Sequence, residues 1–247
     1  MYAPFSAGRL FGVRTDIANQ TPVEFAALQS CSIEFDFDLK TLSGKNQFPV
    51  SAARGSGKIP IKAEVGVFSG ELFNQIFFGA ALTSGGLQLA ADEAHVVPST
   101  SPFTITAANS STFSQDEGVV YANGNFLTYT TGAPSASGQY EQAAGTYTFS
   151  SSDAGASVEL NYLYTTTAGQ KIALTNQAMG TTPYFSAVFR NRDPKTGFFT
   201  TFKANCCTSS KLSLNAKMGD FQLASFEMTA LDDGTGNIGT LTFGDLN

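Results

Sequence analysis

The chain predicts a mainly β protein with a single short helix. Three observations carry that reading. Alternation of apolar and polar residues with a period of two recurs from Cys31 almost to the last residue. Glycine, Ser, Asn and Asp clusters punctuate those runs as turns do. Only one segment, "SGELFNQIFFG", carries apolar residues at helical spacing.

The first clear strand is 31–42, where Ile33, Phe35, Phe37 and Leu39 alternate with Glu34, Asp36, Asp38 and Lys40. The next is 57–66, with Ile59, Ile61, Ala63 and Val65 on one face. Pro60 lies within it, which predicts an edge or a bulge. Between them, 43–56 holds Gly44, Pro49 and Gly55, so 31–66 reads as a long hairpin with an extended loop. In the helix, Ser69 caps the start, Gly79 stops it, and Leu72, Phe73, Ile76 and Phe77 form the apolar stripe. The stretch 80–115 is polar and poorly periodic. Beyond it, Asn123-Gly124 signals a tight turn. Tyr147 and Phe149 share a strand, and after a Ser/Asp/Gly turn Val158, Leu160, Tyr162 and Tyr164 line one face of the next. Further strands read at 171–175, 184–190, 198–204, 211–216, 221–230 and 238–243, with "DDGTGN" as the turn between the last two. There is no clean repeat and no linker. We read 1–247 as one β domain whose only seam falls at 80–115, with 116–247 as a β-rich second lobe.

Composition narrows function. Of 247 residues, 42% are hydrophobic, enough for a real core, and 22 Phe with no Trp make the aromatic packing almost all Phe. Charged residues make up 14%, so the polar surface is built from Ser, Thr, Asn, Gln and Gly. The net charge of -6 and pI near 4.7 argue against tight duplex binding, which needs Lys and Arg to neutralise phosphates. Cys31, Cys206 and Cys207 are an odd count with a vicinal pair, so they read as small buried residues in a reducing compartment. The first residues lack a charged segment followed by an apolar run, and no window suits a membrane span. Asn19-Gln20-Thr21 and Asn109-Ser110-Ser111 then match the glycosylation spacing by chance.

Catalytic signals are missing. His95 is the single histidine, in a loop-like context that reads as surface, and no nucleophile motif points to it. "ARGSGKIP" fails as a phosphate loop, because Ala52 stands where the first glycine belongs and Ile59 where a hydroxyl belongs. We expect no catalytic residues, no metal and no cofactor. For Glu34, Asp36 and Asp38, about 7 Å apart along one strand face, three readings compete. A Ca2+ site needs converging oxygens, and a glycosidase pair needs two carboxylates facing each other. A solvated polar face, partly offset by Lys40, Lys58 or Lys62, fits the spacing without further demands.

The order of features is more specific. "GVRTD", then "PVEF" and "LQ", an acidic strand ending in "KTLSG", "FPV", "ARGSGKI", and a short helix ending in "FFG" resemble the tail tube (major tail) proteins of tailed bacteriophages. "DEGVVYANGNFLTYT", "NQAMGTTPYF" and "KLSLNAKMGDFQLASFEMTALDDGTGNIGTLTF" extend the resemblance over nearly the whole chain. It implies a β-sandwich or partly rolled barrel flanked by one helix. It further implies subunits forming stacked, hexameric rings, a hollow virion tube made in the host cytoplasm. DNA would pass through without specific binding. Implied partners are further copies of the chain, a tape measure protein, tail terminator and baseplate or tip proteins, and a sheath protein if the tail contracts. Under that reading Glu34, Asp36, Asp38 and Glu64 line the lumen and repel phosphate. The loop with Lys45, Asn46, Gln47 and Arg54 stacks rings against Asp232 and Asp233 of the next. Rival readings are a head decoration or neck protein, and a carbohydrate-binding or adhesin module with Tyr162 and Tyr164 as stacking sites.

Overall fold

A computed structural model describes residues 8–67 and 69–244. It is mainly β, with one short helix and several sheets that do not close into a barrel. The chain divides into two compact units: one combines 1–82 with 172–247, and the other is the insertion 83–171. The second unit therefore begins and ends inside the first, rather than running from 116 to the C-terminus as the sequence suggests.

The first unit is built on one nine-stranded sheet. Its strands are β1 (Arg9–Arg14), β2 (Val23–Glu24), β3 (Leu28–Ile33), β4 (Asp36–Ser43), β5 (Pro49–Val65), β13 (Phe185–Arg192), β14 (Phe199–Asn215), β15 (Leu223–Leu231) and β16 (Gly239–Gly244). The spatial order is β2-β1-β13-β14-β15-β5-β3, with β16 on β14 and β4 on β5. The long hairpin is present, but its loop is only 44–48, and most of 43–56 is paired strand. The hairpin's first side is broken between Ile33 and Asp36. Pro60 explains the break: Glu34 donates its N–H to the Pro60 carbonyl at 3.0 Å, but the proline has no N–H to return, so the ladder lapses there.

The segments 198–204 and 211–216 belong to one 17-residue strand, β14. Its first half pairs with β16 and its second with β15, both antiparallel on the same flank. "DDGTGN" is thus no hairpin turn. It is a seven-residue excursion, 232–238, cut into what would otherwise be one continuous strand.

One face of this sheet is covered by helix α1 (Gly70–Phe73) continued by a π-helical turn, Asn74–Phe78. Ser69 caps it, its hydroxyl accepting from Leu72 N–H. Gly79 ends it at φ 63, a left-handed conformation that suits glycine. The Asn74 amide is buried and closes the turn on both the N–H and C=O of Ala80, at 2.9 and 2.7 Å. The stripe buries Leu72 and Ile76 fully, against Leu10, Phe185, Phe226 and the inward residues Ile61, Ala63 and Val65 of β5. Phe226 lies edge-on to Phe25 at 5.2 Å and is tilted against Phe73 at 5.7 Å. Gly12 lies under Ile76, close enough that a Cβ would stand 2.6 Å from its Cδ1.

The inserted unit has two sheets around one core. The three-stranded sheet orders β6 (Leu82–Val96), β12 (Ser157–Ile172) and β8 (Phe113–Tyr121) as β6-β12-β8. The four-stranded sheet orders β7 (Thr104–Thr106), β9 (Thr128–Tyr129), β10 (Gln139–Ala143) and β11 (Thr146–Phe149) as β7-β11-β10-β9. Residues of both sheets, among them Ile105, Val119, Tyr140, Tyr147, Leu160 and Tyr162, form a single cluster. The 80–115 segment, expected to be irregular, contributes the 15-residue β6, an edge strand whose two mostly exposed faces hide its period. The predicted strand at 171–175 is only the end of β12. The turn after Phe149 does not return within one sheet; it carries the chain from the four-stranded to the three-stranded sheet.

Tyrosines tie this unit together through carboxylates. Asp116 on β8 accepts from Tyr140 at 2.5 Å and Tyr147 at 2.9 Å on the opposite sheet. Burial, and then Asp116, push both phenol pKa values well above 10. Asp153, itself buried, accepts from Tyr121 at 2.7 Å, Ser137 at 2.6 Å and the Gly138 N–H. Glu93 accepts from Tyr162, from the Ala108 N–H at 2.9 Å, and faces His95 Nε2 at 2.7 Å.

Candidate assembly surfaces

The hairpin does not stay in its sheet. Beyond the Pro60 break, all of β4 and the first ten residues of β5 are exposed on both faces. This two-stranded arm carries Phe35, Phe37, Leu39, Leu42, Phe48 and Val50 at exposures of 43–78%. The apolar residues that alternate along 31–42 reach the core only as far as Ile33, which is partly buried, because the arm leaves the core beyond it. Phe35 keeps an edge contact with Phe202 at 5.8 Å, and Phe37 lies under the Arg54 guanidinium at 4.5 Å and across Gly57.

The predicted acidic stripe is exposed but not bare. Asp36 pairs with Lys58 at 3.1 Å and Asp38 with Lys40 at 2.8 Å. Glu64 accepts from Ser30 at 2.9 Å, and Glu34 is exposed. Lys45, Asn46 and Gln47 occupy the hairpin tip as expected, whereas Arg54 sits within β5, paired opposite Leu39. Asp232 and Asp233 lie in the excursion loop and serve its shape. Asp232 accepts from the Gly234 and Gly236 N–H groups. Asp233 accepts from Thr235 and from Asn205 across the gap, and the Thr235 hydroxyl, first among these bonds, draws its pKa down to about 2.

A second surface was not legible in the sequence. Among the described residues β16 pairs with β14 alone, so its other edge is open, and Leu241 and Phe243 are 44% and 62% exposed on it. An unpaired, partly apolar edge is a template for another strand.

Charge is unevenly divided. The inserted unit holds seven of the 20 carboxylates and one of the 14 Lys and Arg, Lys171. The remaining residues are balanced, thirteen of each sign, so the whole net charge of -6 belongs to the insertion. The hairpin stripe therefore sits on a neutral unit.

Other candidates resolve into structure. Tyr162 is fully buried and Tyr164 packs against the core, so neither offers the face that sugar stacking needs. His95 is half-buried beside Glu93 rather than on open surface. Burial pushes the Cys31 thiol up to about 11 and the Cys207 thiol up to about 12, away from reactivity. A recess of about 590 Å³ around Tyr121, Ser137 and Asp153 has its carboxylate committed to three donors. Among the described residues no cluster of three or more His, Cys, Asp or Glu is placed to hold a metal, and no helix is long and apolar enough to cross a membrane.

The chain matches no protein-family model, and no curated protein matches it.

Proposed function

We propose that the chain is a structural subunit that assembles with copies of itself into stacked rings, forming the tail tube of a bacteriophage. The arm carries this reading. A two-stranded ribbon is marginally stable in water by itself, and one that exposes six large apolar side chains needs a partner surface. The open edge of β16 supports it, since sheet edges joined between subunits satisfy backbone groups that are otherwise a hazard. A ring contact between identical subunits is heterologous and closes by rotation, which leaves arms free to reach the next ring. The resemblance of "GRLFGVRTD" through "NQIFFG" to tail tube proteins supplies the identity of the assembly. In this reading DNA passes a channel wall that includes Glu34, Asp36, Asp38 and Glu64, whose field is reduced by Lys40 and Lys58. The role is architectural, without a reaction.

The test is negative-stain electron microscopy of the purified, concentrated chain, with light scattering on the same sample. Hollow tubes of regularly stacked rings are expected. A closed oligomer that never stacks would replace the tube reading with a decoration or neck role.

A further inference from the structure

On the face of the nine-stranded sheet away from the helix, one corner gathers cations. Arg9 on β1 lies directly across the ladder from Arg190 on β13, and Arg192 follows two residues on, with Lys203 on the same face of β14. All four are exposed. Like charges directly opposite one another weaken a ladder, so the sheet itself gives no reason for this placement. Glu24 takes Arg9 in a forked pair at 2.7 and 2.8 Å. Among the described residues no carboxylate lies within ion-pair distance of Arg190, Arg192 or Lys203. The guanidiniums are held by rings, Arg9 over Phe11 at 5.0 Å and Arg190 over Phe199 at 5.2 Å. A stacked guanidinium keeps its N–H edges free to fork a carboxylate. Arg9, Phe11, Arg190 and Arg192 border a recess of about 300 Å³.

The inserted unit has the complementary charge. It has no Lys or Arg from 83 to 170. Three of its carboxylates serve tyrosines, and the other four have no hydrogen-bond or ion-pair partner for their side chains among the described residues: Asp92 and Glu117 are exposed, Glu159 is half-buried on the three-stranded sheet with Asp92 beside its neighbour Asn161, and Glu141 is half-buried on the other sheet. We infer that the arginine corner of one copy receives the carboxylate-bearing inserted unit of a second copy. This rests on the self-assembly reading above and adds the chemistry of one contact. Such a contact is steered electrostatically and weakens with salt.

The test uses the full chain and analytical ultracentrifugation at low and high ionic strength. Wild-type self-association is expected to weaken as salt rises. R190E/R192E should weaken it at low salt by about two- to thirtyfold, the range that two surface charge pairs supply, and the milder R190Q/R192Q should fall between. Placing D92K/E159K, both on the three-stranded sheet, on a second chain should restore association with R190E/R192E when the two are mixed. Unchanged association in R190E/R192E, an effect independent of concentration, or failure of the reversed-charge pair to associate would overturn the contact. A fluorescent duplex oligonucleotide bound at low salt by wild type and lost in R190E/R192E, with self-association intact, would assign the corner to nucleic acid instead. If wild type forms no tubes but the salt response and charge-swap rescue persist, the contact stands and the tube reading falls. If tubes form equally from wild type and R190E/R192E, the contact falls alone.

Discussion

Replacing Leu42, Phe48 and Val50 together by Ser separates the fold from the assembly. In the free subunit these side chains are 66%, 78% and 73% exposed, so their loss removes little buried area. Surface substitutions of this kind stay within about 0.5 kcal/mol each. If the arm packs against another copy, each side chain contributes roughly 1.5 kcal/mol or more on full burial. The three then supply at least about 4 kcal/mol per contact, and a tenfold change needs about 1.4 kcal/mol. The concentration at which assemblies appear should rise by about a thousandfold. Pelleting by ultracentrifugation across a dilution series reads that concentration, and thermal melting of the dilute protein reads the fold. A variant that melts with wild type but no longer pellets is expected. Assemblies at the wild-type concentration would refute the role given to the arm. A melting temperature lowered by more than about 6 °C, beyond what ~1.5 kcal/mol produces in a domain this size, would show that the arm packs on its own subunit.

Four further outcomes follow from the interior. Phe226→Ala should cost about 3–5 kcal/mol in urea unfolding, because it empties a fully buried ring site between Phe25 and Phe73. Gly12→Ala should cost about 1–3 kcal/mol by crowding Ile76 Cδ1, and the double variant with Ile76→Val, which removes that atom, should recover part of it. Asp116→Ala leaves two buried phenols without their acceptor and should cost about 1–3 kcal/mol for each, read as selective loss of protection of the inserted unit in hydrogen exchange. Raising the pH should destabilise the same unit. Tyr140 and Tyr147 have folded pKa values above the unfolded value near 10, so their stabilisation is complete below about pH 10 and declines as pH rises past it. A urea midpoint of the inserted unit, followed by hydrogen exchange or proteolysis, that does not fall between about pH 9 and about pH 11 would refute this.

Local rules read much of the chain correctly. Ser69 and Gly79 bound the helix because a hydroxyl cap and a left-handed stop are properties of single residues. Val158, Leu160 and Tyr162 share a buried face because the strand period is set by backbone geometry alone. The exposed carboxylates of 34–38 likewise followed from alternation, and Lys40 and Lys58 from proximity along the hairpin. Pro60 marks neither the edge nor the bulge expected of it: its strand is paired on both flanks, and the missing N–H only opens the ladder toward Glu34. What depends on partners distant in sequence was not legible. Alternation cannot say whether an apolar face meets a core, so Phe37 and Leu39 read the same whether buried or projecting. Nor can it tell that 223–231 and 239–244 continue one line, since that is decided by which flank of β14 each segment meets. The boundary of the inserted unit has the same cause: β6 and β12 become neighbours across more than sixty residues only when their sheet forms. The arginine corner needed the ladder that sets Arg9 opposite Arg190, residues far apart in the sequence.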